Sequence, residues 1–174
     1  VLLAGLNSSG VAISETITMN GTTAVTSANT YKWVQSLTAL TCGSGAKNAG
    51  NVYVGTGTVT AGKPATLLCA MENGANVSTT AAYMVPAGYM FYATQVSLIF
   101  GDSTKSITWY IYIRSATTGL YLQVLEIPCI AGYFVQPVEA FQSLAAGTVI
   151  EVRAKVSTGT ASATFALAGL LNPT

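Results

Sequence analysis

Hydrophobic and polar residues alternate with a period of two along most of this chain, which is typical of β-strands that bury one face. In "SITWYIYIR", residues 106–114, one face holds Ile107, Trp109, Ile111 and Ile113. The alternation therefore predicts a half-buried strand with Trp109 in the core. In "VIEVRAKV", residues 149–156, the same period directs Glu151, Arg153 and Lys155 outward, and it predicts four inward positions, Ile150, Val152, Ala154 and Val156.

Further alternating runs predict strands in six other places: 11–19, 31–40, 51–59, 65–71, 120–126 and 160–167. Their number and close spacing indicate an all-β antiparallel sandwich of about nine or ten strands. A parallel sheet would need long crossover connections, for which the spacing leaves no room. Residues 137–147 are the helical candidate, and we interpret this short segment as one turn or a loop.

The stretch "AAYMVPAGYMFYATQVSLIFG", residues 81–101, is rich in aromatic residues and carries no charge. Alternation after the turn at Pro86 places Met90, Tyr92, Val96, Leu98 and Phe100 on one face, with Thr94 as its polar member. We interpret this stretch as a core strand, and an exposed aromatic binding surface is the alternative. Polar residues, Gly and Pro interrupt the longer uncharged run between Glu72 and Asp102, which contains this stretch, too often for a membrane-spanning helix.

An Ala-Gly pair precedes several predicted strands, at 61–62, 87–88, 131–132 and 146–147. Glycine adopts positive φ angles at little cost, so each pair is predicted to reverse the chain before a strand begins.

Chain length and charge bound the class of protein. At 174 residues the chain is predicted to form one domain, residues 1–174, with residues 1–10 as an extended N-terminal arm. Seven basic and six acidic residues give a net charge of +1, and the basic residues are scattered. A nucleic-acid-binding protein would normally carry a basic stripe, so we expect no nucleic-acid partner. So little charge also favours self-association into a homo-oligomer.

No residue pattern in the chain indicates a reaction. Histidine is absent, which removes the commonest general base and metal ligand. Cys42, Cys69 and Cys129 show no paired spacing and are interpreted as buried thiols. Glu151 lies beside Arg153 on the polar face of its predicted strand and is expected to form an exposed cross-strand charge pair. Asp102 is predicted to lie in a hairpin loop. We therefore expect no enzyme, no catalytic residue, no metal and no cofactor.

The candidate interaction residues are Tyr110, Tyr112 and Arg114, which alternation places together on the polar face of one predicted strand. Tyrosine offers contact area at low entropic cost, as at many protein and sugar interfaces. The alternative interpretation is that they form ordinary cross-strand pairs without a partner molecule.

Two segments carry a resemblance to a known group of proteins. They are "NGTTAVTSANTYKWVQSLTALTCGSGAKNAGNVYVGTGT", with its Gly-rich turn, and residues 81–101, with their "VPAG" turn before an aromatic strand. Both resemble stretches of virion structural proteins of tailed bacteriophages, especially phages that infect marine bacteria. The resemblance covers roughly residues 19–101.

This resemblance implies a β-sandwich, jelly-roll-like in form, that is located in the virion. The first hypothesis is a capsid decoration or cement protein, which binds the major capsid protein or other virion proteins and associates with copies of itself. The second is an adhesion module of a tail fibre that binds a receptor or glycan. A third, a secreted hydrolase, would need an acidic cleft. The resemblance implies no catalytic residue and no membrane partner.

Overall fold

The computed structural model describes residues 1–42, 44–130, 132–137, 143–159 and 163–174, without the side chains of 79 and 133–137. Within these ranges it confirms the predicted all-β antiparallel class, because the described elements are all strands and all their pairings are antiparallel. The described residues contain thirteen strands rather than nine or ten, because several are too short to show a clear alternation. Of the predicted turn or loop at 137–147, residues 138–142 lie outside the described ranges, and residues 143–147 form a single bridge at Leu144 followed by a turn.

Backbone contacts divide the chain into two compact units, Val1–Thr80 and Ala81–Thr174. The first unit holds six strands: β1 (Leu2–Leu6), β2 (Ala12–Thr16), β3 (Trp33–Thr38), β4 (Val52–Thr60), β5 (Lys63–Met71) and β6 (Val77–Thr79). Four of them form a sheet in the order β2-β1-β3-β6, and β4 and β5 form a hairpin. The core of this unit joins the sheet to the hairpin through Leu3, Val34, Leu37, Cys69 and Met71.

The prediction of an extended N-terminal arm at residues 1–10 is wrong. Residues 2–6 form β1, which lies between β2 and β3 in the sheet. Leu3 and Leu6 are almost completely buried. The apolar segment "VLLAGL" is too short to show a period of its own, so only its pairing with two neighbouring strands identifies it as a central strand.

The second unit contains two facing sheets. Its strands are β7 (Ala82–Met84), β8 (Tyr89–Phe100), β9 (Ser106–Arg114), β10 (Tyr121–Ile130), β11 (Gly132–Pro137), β12 (Val149–Val156) and β13 (Ala163–Pro173). One sheet has the order β10-β9-β12-β7 and the other β11-β8-β13. Side chains of both sheets meet in one core, where the rings of Trp109 and Phe165 lie 5.6 Å apart. This unit is sandwich-like, as predicted.

The aromatic strand β8 is a core strand, but the predicted inner face is correct only in its second half. Val96, Leu98 and Phe100 are buried as predicted, whereas Tyr92 is exposed and Phe91 is buried in its place. The cause is an irregularity in the pairing with β13, where Gln95 pairs with Ala168 and Ala93 with Gly169. Thr94 is thus an extra residue on β8. Such a β-bulge reverses which side chains point inward before it.

The alternation in β9 is confirmed, since Ile107, Trp109 and Ile111 are buried and Ile113 is partly buried. In β12, Ile150 is buried, and Val152 and Val156 are partly buried. Ala154, predicted to point inward, is exposed instead. Of the β12 side chains, Ile150 and Val152 join the core of this unit, so the strand leaves the core before Ala154.

The prediction that Asp102 lies in a hairpin loop is also wrong. The strands on either side of it, β8 and β9, belong to different sheets, so residues 101–105 connect the two layers. Asp102 still organises this turn by accepting hydrogen bonds from Thr104 Oγ1 (2.7 Å) and the Thr104 amide (3.0 Å). These bonds, together with the ammonium group of Lys105, whose Nζ lies 3.1 Å from Asp102 Oδ2, lower the pKa of Asp102 to about 2.

The predicted Ala-Gly turns are confirmed where the structure describes them. Gly62, Gly88 and Gly147 have φ angles of 78°, 78° and 80°, values that favour glycine. Each lies directly before the next strand or within two residues of it. Ala131, in the fourth predicted pair, lies outside the described residues.

The prediction that residues 1–174 form one domain can be tested because each unit has a tryptophan of its own, Trp33 or Trp109. Variants Trp33→Phe and Trp109→Phe each keep one fluorescent reporter. If the chain is a single domain, the fluorescence of each variant shows one transition in urea. The midpoint of that transition then equals the midpoint that far-UV circular dichroism gives for the same variant. Two separate midpoints within one variant would instead make each unit a domain.

Candidate interaction face

The outer side of β9 carries the three residues predicted for interaction. The strand is central in its sheet, with β10 on one side and β12 on the other, so its outward side chains have neighbours on both sides. Tyr110 and Tyr112 lie next to each other, with ring centroids 6.4 Å apart and ring planes inclined by 34°. Arg114 follows on the same face of the strand.

The neighbouring strands contribute a third tyrosine and a second arginine. Tyr121 of β10 pairs with Arg114, whose guanidinium carbon lies 5.8 Å from the centre of the Tyr121 ring. Arg153 of β12 pairs with Tyr110. Its guanidinium carbon lies 4.8 Å from the centre of the Tyr112 ring and 5.7 Å from the centre of the Tyr121 ring. We call this set the Tyr–Arg face: Tyr110, Tyr112, Arg114, Tyr121 and Arg153.

One carboxylate fixes the position of the second arginine. Glu151 Oε1 accepts a hydrogen bond of 2.6 Å from Arg153 Nε, and this bond is the largest cause of the raised pKa of Arg153. The pair forms along one strand rather than across two, so the predicted cross-strand pair is wrong: the residues opposite Glu151 are Tyr112 and Ala82. Among the described residues, no carboxylate oxygen lies within 4.0 Å of a nitrogen of Arg114.

The structure brings Tyr110, Tyr112 and Arg114 together as the alternation predicts, and their role in binding stays a prediction. Sequence reasoning missed Tyr121 and the stacking of Arg153. Tyr121 lies in the predicted strand 120–126, but only the register that sets it opposite Arg114 places it on this face. Arg153 was visible as an outward charge, yet its approach to Tyr112 depends on the order β10-β9-β12.

A separate polar cluster lies in the first unit, around Glu15 of β2. Its carboxylate accepts one hydrogen bond from Ser27 Oγ and another, of 3.0 Å, from the backbone amide of Ala28. The Ser27 hydroxyl bond is the largest cause of the lowered pKa of Glu15. The cluster holds the loop before β3 against β2, so we assign it a structural role.

The lowered pKa of Glu15 makes a prediction about acid stability. The Glu15 carboxylate binds a proton less readily in the folded protein than in the unfolded protein. At pH values above 4.5, the ordinary pKa of a glutamate, the ionised carboxylate therefore stabilises the fold. This stabilisation is lost as the pH falls through the lowered value. We expect Glu15→Gln to lower the urea midpoint at neutral pH and to match the wild type more closely in acid. An unchanged difference between the two proteins across this pH range would contradict the prediction.

The matched control for that titration is Glu72→Gln. Glu72 is exposed, and its carboxylate accepts no hydrogen bond from any residue that the structure describes. We expect this variant to follow the wild type at every pH.

The remaining reactive side chains are dispersed. Cys42, Cys69 and Cys129 are free thiols; Cys69 is buried as predicted, whereas Cys42 and Cys129 are partly exposed. Among the described residues, no group of three or more Cys, Asp or Glu side chains is positioned to hold a metal ion. Glu139 lies outside those ranges. No helix in the described part of the chain is long and apolar enough to cross a bilayer.

Comparisons with known proteins return nothing similar to this chain. No protein-family model matches it, and neither a curated protein nor a solved structure shows detectable similarity to it.

Proposed function

We propose that this chain is a structural virion protein of a tailed phage, specifically a decoration or cement protein that binds the outer capsid surface and associates with copies of itself. The resemblance of residues 20–58 and 81–101 to phage virion proteins supports the virion location. A jelly-roll-like arrangement belongs to the same proposal. No catalytic residue, metal or cofactor is part of it.

The observation that carries this proposal is the exposure of large apolar side chains at an open sheet edge. Within the described sheet order, β10 pairs only with β9 and leaves its other edge open. Leu120 is 71% exposed, Leu122 66% and Ile130 76%. Soluble monomers usually protect such an edge with charged side chains, and large exposed apolar residues at an edge favour contact with another protein surface. An assembled shell protein would bury them.

The virion role is tested by the composition of intact particles from the source. Cryo-electron microscopy with quantitative mass spectrometry should find this chain at every equivalent position of the capsid lattice. Copies confined to the tail would transfer the proposal to adhesion, and absence from particles would refute a virion role.

Self-association is tested on the isolated chain. We expect Leu122→Lys combined with Ile130→Lys to shift the sedimentation profile from oligomer to monomer, because each lysine places a charge on the open edge. The matched control is Leu40→Lys, an exposed leucine of the first unit, which should leave the oligomer intact. A wild-type chain that is monomeric at high concentration would contradict self-association.

The second candidate function is adhesion to a receptor or glycan, and the Tyr–Arg face is the observation that favours it. Its three tyrosine rings and two guanidinium groups offer stacking surfaces and hydrogen-bond donors side by side, a combination enriched at binding interfaces. Arg114, which has no carboxylate partner among the described residues, would favour a ligand that carries a carboxylate or another anionic group.

We expect the double change Tyr110→Ala and Tyr112→Ala to abolish the ability of the purified chain to compete with phage adsorption, if this face binds the host. Tyr89→Ala is the control, because Tyr89 is an exposed tyrosine on the other sheet of the same unit. Circular dichroism should show both variants folded. Unchanged competition by the folded double variant would exclude this face as the adhesion site.

A further inference from the structure

The chain contains two Asn-Gly dipeptides, Asn20-Gly21 and Asn73-Gly74. This dipeptide is chemically labile because glycine has no side chain to shield its backbone nitrogen. That nitrogen attacks the asparagine Cγ, the amide nitrogen leaves as ammonia, and a five-membered succinimide ring forms. Water then opens the ring at either carbonyl and gives aspartate or isoaspartate. The reaction needs a mobile asparagine side chain and an amide nitrogen that is free to approach it.

The structure restrains the dipeptide at 73–74. The Gly74 amide, which is the attacking nitrogen, donates a hydrogen bond of 3.0 Å to the Asn48 carbonyl oxygen. The preceding amide, that of Asn73, donates to Asn51 Oδ1 at 2.9 Å. Attack on the Asn73 side chain would first require the Gly74 bond to break and the turn to move away from Asn48.

The Asn48 acceptor is itself held in place by its side chain. Asn48 Oδ1 accepts a hydrogen bond from the Asn76 amide (3.0 Å), and Asn48 Nδ2 donates to the carbonyl oxygens of Gly50 (2.9 Å) and Glu72 (2.7 Å). Asn76 Oδ1 in turn accepts a bond from the Asn48 amide at 2.9 Å. These reciprocal bonds fix the loop against the turn that contains Gly74, so the restraint on Gly74 is cooperative.

The dipeptide at 20–21 has no comparable restraint. Asn20 is exposed, and neither its side-chain amide nor the Gly21 amide forms a hydrogen bond with any described residue. The bond that closes this turn uses other atoms, since the Thr23 amide donates to the Asn20 carbonyl oxygen at 3.0 Å. A Cβ added to Gly21 would meet no atom within 4 Å, so the Asn20 side chain has open space around the attacking nitrogen.

We propose that Asn20 is a site of spontaneous deamidation in the folded protein and that Asn73 is protected from it. The reaction converts a neutral amide into a carboxylate, so the formal charge of the chain falls from +1 to zero. Formation of isoaspartate also lengthens the backbone of this turn by one carbon atom. This inference does not depend on the proposed function.

The test is peptide mapping by mass spectrometry after incubation at mildly alkaline pH, with the native protein and the urea-unfolded protein in parallel. In the native protein we expect Asn20 to lose its amide about tenfold faster than Asn73. A ratio of this size is expected if the hydrogen bond of the Gly74 amide must open before Asn73 can react. In urea the two sites should react at similar rates. Equal native rates, faster loss at Asn73, or no native loss at Asn20 would each overturn the proposal.

A variant tests the cause of the protection. Asn48→Ala removes the side-chain bonds that hold the Asn48 carbonyl, so the native rate at Asn73 should rise towards its rate in urea while the rate at Asn20 stays unchanged. Asn172→Ala, an exposed change on β13 of the second unit, is the control and should leave both rates unaltered. If Asn48→Ala is folded and Asn73 remains protected, the assignment to this network is wrong. If that variant unfolds, the comparison of native and urea-unfolded wild type still decides the proposal.

Discussion

Replacement of Trp109 by alanine is expected to reduce the free energy of unfolding of the second unit by about 3–5 kcal/mol. Trp109 is 5% exposed and packs between the two sheets, where its ring contacts that of Phe165. Alanine would leave a cavity that the surrounding strands can only partly fill. A loss of this size is a large fraction of the stability of a typical domain. Urea unfolding followed by far-UV circular dichroism gives the value.

Two further changes serve as controls for Trp109→Ala. Trp109→Phe keeps an aromatic ring against Phe165 and removes the buried indole Nε1, which has no hydrogen-bond partner among the described residues, so it should cost clearly less than alanine. Thr108→Ala, the adjacent residue on the opposite face of β9, should have a small effect. If Trp109→Ala melts at the wild-type temperature, the inner and outer faces of β9 have been assigned the wrong way round.

Replacement of Gly5 by alanine should destabilise the first unit by about 1–3 kcal/mol, the usual cost of overpacking a core. A Cβ on Gly5 would overlap the backbone carbonyl oxygen of Trp33 and would lie 2.9 Å from Cδ1 of Tyr31. Trp33 is part of β3, so its carbonyl cannot rotate away without disturbing the pairing of β1 with β3, which is already irregular at this point.

Gly50→Ala is the matched control, because a Cβ at that position meets no atom within 4 Å. Thermal unfolding of Gly5→Ala, Gly50→Ala and the unchanged glycine sequence, each in a Trp109→Phe background so that Trp33 is the remaining fluorescent tryptophan, gives the comparison. The two glycine variants should differ clearly in melting temperature. Equal melting temperatures would mean that β1 and β3 do not approach each other as closely as the structure has them.

The extent to which the sequence predicted this fold depends on how regular each strand is. Strand β9 pairs along its whole length without a bulge against β12, so a period of two assigns its inner face correctly. Strand β8 has one additional residue at Thr94, and the same rule fails for Tyr92 and Phe91. A bulge depends on the pairing with a partner strand, and the hydrophobic pattern of one strand carries no information about it.

The candidate face shows the same division between local and non-local information. Tyr110, Tyr112 and Arg114 share a face because they alternate along one strand, which the sequence shows directly. Tyr121 and Arg153 join them only because β10 and β12 flank β9 in a defined register. The pairing of Arg153 with Glu151 along one strand, rather than across two, likewise depends on side-chain geometry.

The sequence by itself determined the all-β class, the half-buried character of the central strands, the Ala-Gly turns and the absence of histidine, because these follow from residue type and from spacing along the chain. The tertiary structure decided the division into two units, the central position of β1, the bulge in β8, the full Tyr–Arg face and the different surroundings of two identical Asn-Gly dipeptides. Each of these depends on contacts between residues that are distant in the sequence. Such contacts are fixed by the packing of the whole chain, and local patterns do not specify them.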